Sequence, residues 1–211
     1  MSNSTDDDID LVITVNKPKG ITCNDLLSII KRQINTKKNK IKIGHGGTLD
    51  KDACGVLVIG LGKGTKRLGK LLSDNKKYIV TGEFGYQTNT YDRSGDITNS
   101  CDKVISETEL NDIIKHFIGK IKQIPPKFSA LKIKGKRASD RVRDGEEIVM
   151  KAREVEIFSI AMTEFKFPFF KLEVHCGGGT YMRSLVNDIG TELKTCSCMT
   201  ELTRTQQAKF I

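Results

Sequence analysis

Apolar and polar positions along this chain change period repeatedly, and each change marks an expected element. Leu11 to Val15 is a short apolar run ended by Asn16-Lys17-Pro18-Lys19-Gly20, which predicts a strand and then a turn. Leu26, Leu27, Ile30 and Ile34 recur at helical spacing, predicting a helix from an Asn24 N-cap to about Lys37. A glycine-rich stretch from Gly44 to Gly64 holds a loop and then the apolar strand Val56 to Leu61. Lys63, Lys66, Arg67 and Lys70 surround Leu68, Leu71 and Leu72 as a basic helix would. Lys76 to Phe84 reads as a strand, and Ser94-Gly95-Asp96 as a turn.

The clearest helix runs from Glu107 to Ile118. Ser106 and Glu109 form a capping box, Leu110, Ile113, Ile114, Phe117 and Ile118 make the buried face, and Gly119 stops it. Ser129 to Ile133 is expected as a strand. Val155, Ile157 and Ile160 mark another, and Phe170, Leu172, Val174 and Cys176 alternate cleanly in a third, with Pro168 between these two. After Gly177-Gly178-Gly179, a helix carries Met182, Leu185, Val186, Ile189 and Leu193 on one face. The chain closes on a short polar run, Glu201 to Lys209. Strands and helices do not alternate regularly, so the pattern favours an α+β fold with a mixed, mostly antiparallel sheet flanked by helices and loops.

Composition narrows the partners. The 211 residues allow one large domain or two small ones, and carry a formal net charge of +9 with a pI near 9.2. Such an excess suits a polyanion, either nucleic acid or an acidic membrane surface, and is also compatible with a solubilising surface. It is uneven: Asp6, Asp7, Asp8 and Asp10 make residues 1–10 an acidic tail, expected to be disordered, while Lys31 to Lys42 is a basic run. The tail is neither a secretory signal nor an Arg-rich transit peptide. No apolar run approaches the roughly 20 residues of a membrane span. The six cysteines (Cys23, Cys54, Cys101, Cys176, Cys196 and Cys198) include no C-x-x-C pair, and we read them as reduced thiols in an intracellular protein, without a zinc site.

The densest candidate for chemistry is Lys42-Ile43-Gly44-His45-Gly46-Gly47-Thr48-Leu49-Asp50. Its glycines let backbone pass close to a ligand, so the loop can expose His45 and aim Asp50 into a cleft. A glycine-rich turn with a capping aspartate fits the pattern as well. The later glycines, Gly60-Leu61-Gly62-Lys63-Gly64-Thr65, match neither a phosphate-binding loop nor a dinucleotide fingerprint, which argues against a kinase or an NAD enzyme.

The run KIGHGGTLDKDACGVLVIGLGKGTK resembles the signature of the TruB family of tRNA pseudouridine synthases. Further segments match in order: NKPKGITCNDLL, KKYIVTGEFGYQTNTYDRSGDI, QIPPKFSALKIKGKRA, GGGTYMRSLVNDIG and ELTRT. Together they span about residues 11 to 207, and GHGG, GGGTY and ELTRT look most like the eukaryotic members that act on uridine 55 of the T-loop. Lys51 stands where many members have proline.

The resemblance implies a pseudouridine synthase fold over 11–211, with an RNA-binding insertion at about 121–152 and no appended PUA domain. It implies isomerisation of one T-loop uridine after base flipping, with no metal and no organic cofactor. Asp50 matches the catalytic aspartate, Arg183 its arginine partner, and Tyr78 the aromatic that packs on the target base. His45 matches the residue that fills the vacated stack, and Tyr181 and Leu202 match residues lining the uracil pocket. Read from pattern alone, Arg183 is a surface arginine, Tyr78 a strand aromatic and Leu202 a core residue. His116, His175 and Asp92 are assigned no function, Asp92 being read as structural. The RNA surface is expected to use Lys63, Lys66 and Arg67 with Lys132, Lys134, Lys136, Arg137, Arg141 and Arg143. The expected partner is tRNA, through its T-loop and stem, with messenger RNA as a second candidate. No membrane and no obligate protein partner are expected, and a monomer is. Nucleus and cytoplasm both stay open, because Lys37 to Lys42 is too short and interrupted to read as a nuclear signal. Three alternatives remain at this point: the catalytic subunit of a guide-RNA particle, a non-catalytic tRNA-folding chaperone, and a plain basic RNA-binding module.

Overall fold

The computed structural model describes residues 9–35 and 40–211. In chain order the elements are β1 (Asp10–Lys17), α1 (Cys23–Ile34), β2 (Ile43–His45), β3 (Cys54–Gly62), a 3-10 turn (Lys63–Arg67) and α2 (Leu68–Leu71). There follow β4 (Lys76–Phe84), β5 (Tyr86–Thr88), β6 (Ile97–Ser100), α3 (Glu107–Ile113) and a 3-10 turn (Ile114–Phe117). The chain continues through β7 (Gly119–Gln123), β8 (Lys132–Ile133), β9 (Lys136–Arg137) and α4 (Ala138–Arg143) to β10 (Arg153–Lys166), β11 (Phe169–Cys176), α5 (Met182–Glu192) and β12 (Ser197–Gln207). The content is α+β, as the irregular order of elements predicts. The chain divides into two units. One holds the residues up to Tyr78 together with Thr203–Ile211, and the other is Ile79–Leu202. β4 and β12 each contribute residues to both.

In the first unit β1 pairs antiparallel with β3 along its whole length, from Asp10↔Gly62 to Lys17↔Gly55. β2 also pairs antiparallel with β3, and β12 pairs parallel with it at Thr203↔Cys54 and Arg204↔Gly55. The backbones here approach too closely for side chains. Gly55 has φ +105°, and a Cβ there would lie 2.2 Å from the carbonyl oxygen of Arg204; one on Gly64 would lie 2.0 Å from that of Leu11. This unit corrects several expectations. β1 begins at Asp10, inside the segment assigned to the acidic tail; residues 1–8 lie outside the described residues. The N-cap of α1 is Thr22, not Asn24: its hydroxyl accepts from Asp25 N–H, and the Asp25 carboxylate accepts from Thr22 N–H. Only position 22 has a carboxylate three residues on to complete the box. α1 ends at Ile34, and the expected continuation to Lys37, like the middle of the basic run, falls on 36–39, outside the described residues. The expected basic helix is a 3-10 turn followed by a single α turn.

In the second unit the strand order is β12–β4–β11–β10–β7. β10 and β11 form a long antiparallel hairpin, and β7 pairs antiparallel with β10 from Gly119↔Ile157 to Gln123↔Arg153. Ile157, Phe170, Leu172 and Val174 from these strands, with Leu185, Val186 and Ile189 of α5, are fully or almost fully buried. The Phe170 ring packs onto Gly82, where a Cβ would lie 2.2 Å from its Cζ. The capping box of α3 forms as predicted, with Ser106 and Glu109 exchanging hydrogen bonds. The helix then tightens to 3-10, and Ile118, expected on the buried face, is exposed.

Three further readings are corrected here. Ser129 to Leu131 forms no strand, and only the short hairpin β8–β9, two residues in each strand, follows. The segment assigned as an insertion, about 121–152, begins inside the sheet, because 121–123 belong to β7. The polar run at Glu201 onward is most of β12, an eleven-residue strand. The thiol reading is also corrected: Cys101 and Cys196, 95 residues apart, form a disulfide with a Cα–Cα distance of 5.6 Å, while Cys23, Cys54, Cys176 and Cys198 stay outside any disulfide. Sequence spacing could not reveal a pair so far apart. No helix among the described residues is long and apolar enough to cross a membrane.

Candidate active site

The segment that leads from β2 to Asp50 is irregular, yet it is tied down at almost every residue. His45 is not a loop residue, as the glycines suggested, but the last residue of β2, half-buried and paired with Ile59. Gly46 N–H donates to the Val58 carbonyl at 2.8 Å, and Gln207 Nε2 donates to the Gly46 carbonyl at 2.6 Å. Arg204, 1% exposed, bridges Val56 O through Nε (2.8 Å) and Gly47 O through Nη2 (3.1 Å). The Cys23 thiol lies within hydrogen-bond distance of both the amide and the carbonyl of Leu49, at 3.2 and 3.3 Å. On the far side of Asp50, the carbonyl of Lys51 accepts from Gly20 N–H (2.9 Å) and from Lys17 Nζ (3.1 Å). Asp50 itself is half-buried, and its carbonyl accepts from Ala53 N–H at 3.2 Å. Both of its neighbours in sequence are therefore anchored, by α1 on one side and by the turn after β1 on the other.

Lys17 is completely buried, and its ammonium donates to three carbonyls, those of Pro18, Ile21 and Lys51. Burial lowers its pKa from the ordinary lysine value; Cys23, Cys54, Asp52 and Asp50 pull it back upward. Burial pushes the Cys23 thiol up, so it serves here as a neutral hydrogen-bonding group rather than a thiolate. Tyr78, on β4, is buried.

The second unit carries the other expected site residues. Arg183, the second residue of α5, is buried rather than the surface arginine its position suggested, with only 5% of its surface exposed. It donates to Thr90 O (3.1 Å) and Phe128 O (3.0 Å), and its Nη1 lies 3.6 Å from Asp92 Oδ2. The other oxygen of Asp92 accepts from Thr90 Oγ1 and Ser94 N–H, so the turn that Ser94-Gly95-Asp96 announced also fixes a carboxylate against the guanidinium. Tyr181 is the N-cap of α5 and half-buried, and Leu202 is buried on β12. His45, Asp50 and Tyr78 thus belong to the first unit, and Arg183, Tyr181 and Leu202 to the second.

The expected RNA-binding residues separate by partner. Lys63, Lys66 and Arg67 are exposed, with Arg67 ion-paired to Asp10. In the second unit Lys136 pairs with Asp144 and Glu146, Arg141 with Glu146, and Arg143 with Asp140. Lys132, Lys134 and Arg137 are exposed and have no acidic partner among the described residues. No group of three or more His, Cys, Asp or Glu side chains that could hold a metal ion occurs among the described residues.

Lys17, Arg204, Gln207 and Asp92 were not assigned to the site from sequence. Lys17 and Arg204 lie within quoted motifs, and their burial is the missing signal: a fully buried cation that donates to several carbonyls is holding backbone in place.

This fold occurs in known proteins. A chain in the solved structure of a Cbf5–Nop10–Gar1 complex superposes with a TM-score of 0.71 at 29% identity, covering 94% of this chain and 49% of that one. The fold class is therefore that of the pseudouridine synthases. Residues 31–182 match the TruB family pseudouridylate synthase N-terminal domain, and the chain belongs to this family. Human pseudouridylate synthase TRUB1 is 45% identical over 214 residues, covering 94% of this chain and 61% of that protein. The tRNA pseudouridine synthase B of Corynebacterium diphtheriae is 44% identical over 207 residues, covering 94% of this chain and 68% of that protein. The chain thus spans about three fifths of the length of the human relative.

Proposed function

We propose that this chain isomerises a uridine of tRNA to pseudouridine, with uridine 55 of the T-loop as its target and Asp50 as the catalytic carboxylate. The observation that carries this reading is the bracing of Asp50. Lys17, Cys23, Arg204 and Gln207, from three separate elements of the chain, fix the backbone on both sides of one half-buried aspartate. A structural turn needs no such scaffold, whereas a reacting carboxylate must be held to within a fraction of an ångström.

In the reaction the C1′–N1 glycosidic bond breaks, the uracil turns, and a C1′–C5 bond forms. The proton on C5 goes to solvent and N1 gains one, so atoms and electrons balance without a redox partner or energy source. Asp50 acts on the sugar or the base, or as the base that removes a sugar proton. Tyr78 packs on the target uracil, Tyr181 and Leu202 line its pocket, and Arg183 contributes a fixed positive charge. A stacked uridine must leave its loop to be reached, and His45 fills the space it vacates. The tRNA pseudouridine synthase B relative, 44% identical over nearly the whole chain, supports tRNA as the RNA class.

The test uses unmodified tRNA tritiated at uracil C5, the purified chain and no added cofactor. Release equal to one T-loop uridine per tRNA is expected. tRNA that binds without release would contradict the assignment and favour a chaperone, or a subunit that works only with a guide RNA and partners.

A further inference from the structure

Gln123 is the last residue of β7, and only 1% of its surface is exposed. Its amide reaches 58 residues along the chain to the backbone of Tyr181. The Oε1 accepts from Tyr181 N–H at 2.8 Å, and the Nε2 donates to Tyr181 C=O at 3.2 Å. Tyr181 has φ −106° and ψ 115°, an extended conformation, and its side chain does not cap α5. The amide therefore grips residue 181 as a neighbouring strand would, and holds it extended where the helix is about to begin.

The next residues of the same segment hold the same helical turn. Ser184 Oγ donates to Ile124 O at 2.7 Å, and Arg183 Nη2 donates to Phe128 O at 3.0 Å. Between these two carbonyls lie Pro125 and Pro126, whose rings restrict the backbone. One end of this strap is registered in the sheet by the Gln123↔Arg153 pair. Ser184 and Arg183 act through their own side chains, and the Tyr181 carbonyl also accepts from Leu185 N–H at 3.0 Å within α5, so among the side chains of this strap Gln123 is the one that holds the backbone from which the Tyr181 side chain departs.

We propose that Gln123 is a positioning residue of the reaction: through the backbone of residue 181 it aims the Tyr181 side chain and the first turn of α5 at the target uracil. This rests on the function proposed above. The role needs a group that accepts and donates at once from a fixed reach. Glutamine meets this, an ionised glutamate cannot donate, and methionine fills the space with neither ability.

The test compares single-turnover tritium release by the native chain with that of the Gln123→Glu and Gln123→Met variants, alongside tRNA affinity and melting temperature. Both variants are expected to react about 100-fold more slowly at neutral pH, with tRNA affinity within a few-fold. A protonated carboxyl regains the donor while still accepting from Tyr181 N–H. The Gln123→Glu rate is therefore expected to recover as pH falls from about 8 to 6, with no such rise for Gln123→Met. Should the buried charge unfold Gln123→Glu, the uncharged Gln123→Met variant decides: a folded chain reacting at the native rate overturns the proposal. Loss in Gln123→Glu with no recovery in acid also overturns it. Silence of the native chain overturns the proposed function, and this inference with it.

Discussion

Arg204 and Lys17 show what a buried cation does when it faces carbonyls rather than a carboxylate. Each donates to more than one backbone oxygen, and leaving a buried acceptor unmet costs about 1–3 kcal/mol. Arg204 does this with a planar fork, one nitrogen on Val56 O and another on Gly47 O. The compact ammonium of lysine cannot span both. Arg204→Lys is therefore expected to slow single-turnover release by about 10- to 100-fold, because the loop before Asp50 loses its register, with tRNA affinity within a few-fold. A native rate in this variant, measured with labelled tRNA, would mean that Arg204 supports the fold but not the placement of Asp50. These supports were invisible in sequence for a physical reason. Cys23, Arg204 and Gln207 reach the loop from 26, 157 and 161 residues away, and charged residues are read as exposed until burial is known. Asp50, by contrast, stood out because its glycine-flanked motif is contiguous.

At the scale of elements, α5 carries a half-buried carboxyl, Asp188, with a measurable consequence. Burial pushes the Asp188 pKa up from 3.8 to about 6, with Glu192 adding to the rise and the Asn187 side chain opposing it. Tyr91 faces the same carboxyl, and burial together with Asp188 raises its hydroxyl. The folded state thus holds a proton that the unfolded chain has released. Stability should fall as pH rises from about 4 to 6 and level off above that. Asp188→Asn is expected to flatten this slope and to melt higher than the native chain at pH 7. Melting curves across that range decide it, and an unchanged slope in the variant would place the effect elsewhere. The elements differ in how openly they were written. α3 was legible because Ser106 and Glu109 both signal its start, and β11 because its alternation is unbroken, buried at Phe170, Leu172, Val174 and Cys176. β12 was hidden because its buried positions include Arg204 and Gln207, so no hydrophobic period survives there. β7 has a single apolar residue, Ile121, among Gly119, Lys120, Lys122 and Gln123, and is a strand because β10 pairs with it.

For the molecule as a whole, a net charge of +9 says that phosphate is welcome without saying where. The structure divides the basic residues into those already neutralised and those that are not. Lys136 and Arg141 are ion-paired within the β8–β9 and α4 region, whereas Lys132, Lys134 and Arg137 face solvent. Replacing Lys134 and Arg137 with Ala is expected to reduce the slope of log K against log salt by roughly 1–2, and Lys136→Ala by less than about 0.5. Titrations of tRNA binding at several salt concentrations separate the two, and equal slopes for all variants would remove this face from the RNA contact. The central claim, that Asp50 performs the chemistry, is tested most directly by Asp50→Asn, which keeps the shape of the side chain and removes its charge. Tritium release from C5-labelled tRNA should fall to background while tRNA binding stays within a few-fold of native. Release at the native rate would contradict the claim.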